Sequence, residues 1–372
     1  MEMDELYKEH LQEVLSIADI NTYSGEGIEH ALDRLLKCLP NNGKLYKYRS
    51  IEGQAFDYAY DGLKNGYLWM AKANTLNDDL DCVLMFDPIK EIEGMKEDFF
   101  TRPWYYLDNW VKANIDQLQW GKPSNFKAYT QAMECVDKET WELDRQKAVK
   151  ALVKNGLKAE QAEKYINELL NLVQKEVENH SQQLKDVTSS IFNFNDINRE
   201  DTCVCFFSEI YDSTVMWGVY ANSSKGFCIE YDYNKVTELP LKERIILRSL
   251  YKVIYEENLP EFSFKTTTAY MISEQKDMQL YKKANEEMLT RLITKTSNWA
   301  QEKEWRIVLA NLGKKQKIYA DIVSGIIIDE RVIKTDNAKK LIDLAKEKYW
   351  TIKIRKKNYT GTKHIYEELK VE

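Results

Sequence analysis

Late in the chain, Lys295-x-x-x-Trp299-x-x-Glu302-x-Glu304-x-Arg306 gathers the residue types that do acid–base and ionic chemistry. A strand beginning near Glu302 would set Glu302, Glu304 and Arg306 on one face, opposite Trp305 and Ile307. Two carboxylates and a guanidinium on one sheet face are costly to bury unless they pair or act on a ligand. The run therefore reads equally as a site or as a structural ion network. Three earlier clusters could join it. In Tyr46-Lys47-Tyr48-Arg49, a strand would put both tyrosines on one side, and its closing Arg49 could hold a phosphate, a carboxylate or a surface ion pair. The strand through Trp69 runs into a loop holding Asn77, Asp78, Asp79 and Asp81, residue types that build turns or contact a ligand or cation. Trp217 and Tyr220, three apart in Met216-Trp217-Gly218-Val219-Tyr220, share a helical face that could stack on a planar group or pack in a core.

The elements that must position these clusters follow from periodicity. Lys44–Arg49 reads as a strand, Phe56–Lys64 as a helix stopped by Asn65-Gly66, and Tyr67–Met70 as the next strand. Further strands are expected at Thr202–Phe207, Gly226–Tyr231, Ile246–Tyr255, Glu304–Leu309, Gly325–Asp329 and Trp350–Arg355. Thr214–Ala221 predicts one or two helical turns, with longer helices over about Ala269–Lys295 and Lys334–Lys346. Upstream, Leu11, Val14, Leu15 and Ala18, then Ile28, Leu32, Leu35 and Leu36, repeat at helical spacing as far as the breaker Leu39-Pro40-Asn41-Asn42-Gly43. Residues 91–199 differ in texture, with almost no Gly or Pro after Pro123. There Ala162, Ile166, Leu169, Val173 and Val177 make an amphipathic helix, and Leu143, Ala148, Leu152 and Val153 could supply its partner. Strands at both ends and in the middle must share a sheet, so this block is inserted. The expected fold is α+β: small mixed or antiparallel sheets with flanking helices and a large all-helical insertion. It divides into N-terminal helices (1–43), a discontinuous core (44–90 and 200–372) and the insertion (91–199).

Composition narrows the function. The chain has 372 residues with 53 basic and 60 acidic side chains, a net charge of −7. At 44 % hydrophobic and 30 % charged it is globular, and its length suits about two domains. There is no apolar run of the ~18 residues that a membrane span needs, and the acidic N-terminus is unlike a signal peptide, which points to the cytoplasm. Cys38, Cys82, Cys135, Cys203, Cys205 and Cys228 lie in apolar contexts as reduced core thiols are expected to. Cys203-x-Cys205 is too close for a zinc knuckle. The fingerprints G-x-G-x-x-G, G-x-x-x-x-G-K-[ST], H-E-x-x-H and G-x-S-x-G are missing. His10, His30, His180 and His364 lie in helical or terminal polar stretches. The acidic balance argues against broad phosphate-driven nucleic-acid binding.

In order along the chain, these clusters resemble a bacterial family known as domain of unknown function 2971. Its pattern is Y-K-Y-R, a strand followed by an N-D-x-x-D loop, F-S, M-W-x-x-Y, K-G-[FV]-C-[IL]-E-[FY] and K-x-x-x-W-x-x-E-x-E-[WY]-R. The matches are Tyr46–Arg49, Asn77, Asp78 and Asp81, Phe207 and Ser208, Met216, Trp217 and Tyr220, Lys225–Tyr231, and Lys295, Trp299, Glu302, Glu304 and Arg306. Asp79 stands where that family usually has proline. The resemblance covers about 44–90 and 200–356. The layout is also similar, more distantly, to ADP-ribosyltransferase-like folds, which bind NAD between two small sheets. That likeness implies that Arg49 holds a phosphate or ribose of NAD and that Tyr67, Trp69 or Tyr220 stacks on nicotinamide. Glu304 or Glu302 would bond the ribose and stabilise the opening glycosidic bond.

Three functions are therefore expected to compete. The first is an NAD-using ADP-ribosyltransferase or NAD hydrolase, suited to a toxin or phage-defence effector. Its catalytic residues would be Glu304 and Glu302, and its ligand would meet Arg49, Tyr48, Trp69, Asn77, Asp78, Asp81, Trp217, Tyr220, Lys295 and Arg306. The second is a magnesium-dependent nuclease built on Asp78, Asp81, Glu302 and Glu304. The third is a non-catalytic module whose helical insertion, 91–199, binds a protein partner.

Overall fold

The computed structural model describes residues 7–11, 25–101, 104–105, 108, 123–137, 142–264, 278–310 and 317–369. They fall into two compact units. The first comprises Met1–Leu84, Asp196–Pro260 and Met288–Glu372, and the second Met85–Asn195 and Glu261–Glu287.

The first unit is α+β. Its strands are β1 (Lys44–Ser50), β2 (Tyr67–Trp69), β3 (Ala71–Lys72), β4 (Thr202–Ser208), β5 (Gly226–Asp232), β6 (Leu250–Lys252), β7 (Ile254–Glu256), β8 (Thr294–Thr296), β9 (Glu304–Ala310), β10 (Lys317–Tyr319), β11 (Val323–Asp329), β12 (Thr351–Lys356) and β13 (Ile365–Glu368). Nine of them form one sheet in the order β13-β12-β11-β5-β1-β4-β9-β6, with β3 added to β4; β10 pairs with β2, and β7 with β8. Within the nine, β11 and β12 run parallel, joined by the helix Asp336–Glu347, whose cap is Thr335. The other pairs are antiparallel.

One seam of this sheet is nearly open. β1 pairs with β5 along seven residues but with β4 only at Tyr46↔Ser208. The far end of β4 is taken instead by β3, at Cys203 and Val204. The two halves of the sheet therefore part just beyond Tyr46. One face buries Leu45, Cys203, Cys205, Phe207, Phe227, Trp305 and Ile307 against the helices Gly25–Cys38 and Gly53–Asn65, through Leu32, Leu35, Phe56 and Leu63. All six cysteines are free and buried, and Cys203 and Cys205 share that core as alternation requires.

Several elements differ from the sequence expectation. Ile246–Tyr255 is not one strand. The helix Leu241–Leu247 is followed by β6 on β9 and then β7 on β8. The change of partner breaks the run at Val253, whose N–H donates to the Glu304 carbonyl at 2.9 Å. The expected helix over 269–295 is described as Met278–Leu292, with 269–277 outside the described residues, and Lys295 lies in β8. Glu302 closes a 3₁₀ turn, Ser297–Glu302, and Lys303 takes a left-handed conformation (φ 45°) before β9 begins at Glu304.

The second unit is helical, with the helices Pro88–Thr101, Pro123–Met133, Arg145–Lys154 and Ala159–Phe192. Ala148, Leu152, Ala162, Ile166, Leu169 and Val173 are buried together, with Leu143 packed beside them. Val153 is exposed, and the side chain of Val177 lies outside the described residues. Residues 261–264 belong here because Phe262 N–H donates to the Met85 carbonyl (2.7 Å) and Phe264 N–H to Glu91 (3.1 Å). The helix Gly25–Cys38 groups with the first unit instead of standing apart; Val14, Leu15 and Ala18 lie outside the described residues. Among the described residues, no helix is long and apolar enough to cross a membrane.

Candidate functional site: a cleft where the sheet parts

The open seam between β1 and β4 is a cleft. It is lined by Tyr46, Lys47, Tyr48 and Arg49 of β1 and by Phe206, Phe207 and Ser208 of β4. Consecutive residues of an intact sheet point to opposite faces. Here both faces of both strands reach one hollow, because β1 has left β4. Leu76, Asn77, Asp81, Met216, Tyr220, Lys295, Glu302 and Glu304 complete the wall. Its cavity volume is about 100 Å³.

An ion network forms one side. Arg306 is fully buried and donates from Nε to Glu304 Oε1 (2.7 Å) and from Nη1 to Asp81 Oδ1 (2.8 Å) and the Leu292 carbonyl (2.9 Å). Lys295 Nζ donates to Glu302 Oε2 (2.8 Å) and Glu304 Oε2 (3.4 Å) and lies 3.7 Å from Asp81 Oδ2. The Trp299 ring is 4.6 Å from that ammonium. The remaining oxygen of Glu302 accepts the Tyr220 phenol at 2.6 Å, and Asn77 also bonds that phenol. Backbone bonds hold the turn in place: Ser208 Oγ donates to the Glu302 carbonyl (2.7 Å), and Tyr255 Oη accepts the Glu304 N–H (2.9 Å). Three carboxylates thus meet two cations.

The electrostatics follow from burial and pairing. Burial pushes the Glu304 carboxyl up against the pull of Arg306 and Lys295. Burial also works to raise Asp81, but the same two cations outweigh it and hold that carboxyl below its usual range. For Lys295, burial is outweighed by Glu304, Asp81 and Glu302, which keep the ammonium above its ordinary value. Tyr220 is raised by burial and by Glu302, so it stays a donor.

Two cations of β1 stand outside the network. Lys47 is buried, donates to Cys205 Sγ at 3.0 Å and lies 5.3 Å from the Phe207 ring centre. Burial lowers its ammonium. Arg49 is half-buried, and its guanidinium makes no hydrogen bond or ion pair among the described residues.

Of the residues expected at a site, Arg49, Tyr48, Asn77, Asp81, Tyr220, Lys295, Glu302 and Glu304 line this cleft. Arg306 lies behind it as the buried partner of Asp81 and Glu304. Trp217 is in the core, with Nε1 bonded to the Tyr211 carbonyl (2.8 Å) and Tyr48 packed edge-on against it. Trp69 is exposed and stacks on Tyr58. Asp78 serves the turn, accepting the Leu80 N–H at 2.9 Å. Lys47, Phe206, Phe207, Ser208 and Met216 were not among the expected ligand contacts. The pair Phe207-Ser208, the Y-K-Y-R run and the M-W-x-x-Y run hinted at them, and strand alternation assigned Lys47 away from its tyrosine neighbours.

Residues 216–307 match the family described as "Protein of unknown function (DUF2971)". No curated protein and no solved structure matches the chain. Arg49, Asn77 and Asp81 lie outside the matched stretch. Over residues 216–307 the chain is therefore similar to this family of unknown function, and that stretch supplies the Tyr220–Glu302–Lys295 side of the cleft and the Glu304–Arg306 pair behind it.

Proposed function

We propose that the cleft binds an NAD-type dinucleotide and that the chain breaks its nicotinamide–ribose bond, as an ADP-ribosyltransferase or an NAD hydrolase. The observation that supports this most is a guanidinium, Arg49, with no partner among the described residues, in the same hollow as the Tyr220–Glu302–Lys295 chain. Arg49 would hold a phosphate, since a guanidinium fork matches phosphate oxygens. Tyr46, Tyr48 and Phe206 give apolar walls for a planar ring. A cavity of about 100 Å³ suits one ring-sized group, so the rest of the dinucleotide would lie outside it.

In this reading Glu302 is the working carboxylate. Both oxygens of Glu304 are tied to cations, Arg306 and Lys295, whereas only one oxygen of Glu302 meets a cation, Lys295, and the other accepts the Tyr220 phenol on the cleft wall. Glu302 would accept the ribose hydroxyl and face the positive charge that develops at the anomeric carbon. The C–N bond breaks with its electron pair leaving on neutral nicotinamide. Water or an acceptor hydroxyl forms the new C–O bond and gives up its proton. A chain with this activity fits a toxin or phage-defence role, with residues 91–199 as the arm that meets a protein partner.

The decisive experiment measures nicotinamide release and thermal stability together. Glu302→Gln is expected to abolish release; it also loses the 2.8 Å pair with Lys295, so its melting temperature falls, and a retained upward shift with ADP-ribose shows that the fold and the cleft survive. Wild type is expected to melt higher with ADP-ribose, because a ligand bound only by the folded state stabilises it by mass action. No shift with NAD or ADP-ribose at millimolar concentration would overturn the reading. The closed network through Arg306 favours a second reading, a non-catalytic module. Absence of NAD turnover by wild type would support it, whereas full turnover by Glu302→Gln would refute the role given to Glu302. The nuclease reading has less behind it: Asp81, Glu302 and Glu304 are paired with Lys295 or Arg306, and Asp78 is engaged in its turn.

A further inference from the structure

A second pocket, of about 580 Å³, opens beyond the carboxyl ends of β11 and β12. These adjacent parallel strands are joined by a crossover helix, and the pocket is walled by the loops that leave their carboxyl ends. The volume falls within the range of small-molecule sites, roughly 300–1,000 Å³. Arg331, Arg355, Lys357 and Lys363 line it against Asp329 and Glu330, a local positive excess in a chain whose net charge is −7.

Arg355 is the built part. It is 1 % exposed and ion-paired through Nη1 with Asp329 Oδ2 at 2.6 Å. Its Nη2 lies 3.2 Å from His364 Nδ1, and its guanidinium covers the Trp217 ring at 4.6 Å. Its Nε, also buried, has no acceptor in hydrogen-bond geometry among the described residues, and the Tyr366 phenol, likewise unpaired there, interacts with this guanidinium. Arg331 Nε bonds the other oxygen of Asp329 at 2.7 Å, so one carboxylate serves two guanidiniums. Lys357 and Lys363 are exposed and form no ion pair among the described residues. A buried guanidinium with an unmet donor costs free energy that an anionic oxygen would recover, and lysines add point charges for the same group.

We infer that this pocket binds a small phosphorylated molecule, with its phosphate held by Arg355, Lys357 and Lys363. The inference is independent of the cleft. It is tested by calorimetric titration with ribose 5-phosphate, with ribose as the uncharged control, at constant ionic strength. All measurements use the full chain carrying Arg49→Ala, which removes the cleft's own anion contact. Ribose 5-phosphate is expected to bind and ribose is not. Adding Lys357→Ser and Lys363→Ser is expected to weaken binding about tenfold or more. Both lysines are exposed, so the melting temperature of that variant should match its parent and separate lost binding from lost fold. Absence of binding at millimolar ribose 5-phosphate, equal binding of ribose, or unchanged affinity without the two lysines would overturn the inference.

Discussion

Arg306 is the residue on which the carboxylates beside the cleft depend. Fully buried, it neutralises Glu304 and Asp81 at once. Removing one partner of a buried ion pair leaves an uncompensated charge and costs about 3–5 kcal/mol. Arg306→Met should therefore lower unfolding free energy by that amount in urea titration, and Glu304→Gln should destabilise more than Glu302→Gln, because Glu304 faces two cations and Glu302 one. Lys47 offers the opposite test. Burial places its folded-state value below the ordinary 10.5. The folded state thus releases this proton before the unfolded chain does, and the penalty is relieved as pH rises through the folded value towards 10.5. Lys47→Met should be more stable than wild type at neutral pH, with the gap narrowing as pH approaches 10.5 in denaturant titrations.

Among elements, the parting of β1 from β4 decides whether a cleft exists. One paired position leaves the rest of that edge of β1 without a strand partner. Amide hydrogen exchange should be faster on the β4-facing edge of β1 than on its β5-facing edge. Gly226 fixes where β1 ends against β5. A Cβ there would stand 2.3 Å from the Arg49 carbonyl and 2.9 Å from the Ala221 side chain. Gly226→Ala should cost about 1–3 kcal/mol by overpacking, and it should weaken binding of an anion in the cleft by displacing Arg49. The left-handed Lys303 matters in the same way. It lets Glu302 leave the strand period and still face Tyr220 and Lys295.

At the scale of the whole molecule, each unit has its own hydrophobic core, one built on the large sheet and one on helices. Separate cores melt as separate cooperative blocks. Scanning calorimetry should resolve two transitions, with ADP-ribose raising only the one that belongs to the sheet unit. The increase should reach about 2.7 kcal/mol at a ligand concentration one hundred times its dissociation constant. A single transition that shifts as a whole would show the two cores to be coupled.

Local chemistry made much of this legible in the residues alone. Short apolar runs announced β1, β4, β5, β9 and β11, and repeats at spacings of three and four announced the helices Arg145–Lys154 and Ala159–Phe192, because such faces cannot be left in water. The grouping of Glu302, Glu304 and Arg306 was also visible, since charges at that spacing demand partners. Asp81 and Lys295 as those partners, the open seam that turns both faces of β1 into one wall, and the buried Lys47 came only from the fold. Each depends on which strand lies beside which, and a one-dimensional pattern records the faces of an element but not its neighbours. The same limit hid the pocket beyond β11 and β12: Arg331, Arg355, Lys357 and Lys363 are ordinary surface types until two parallel strands end side by side.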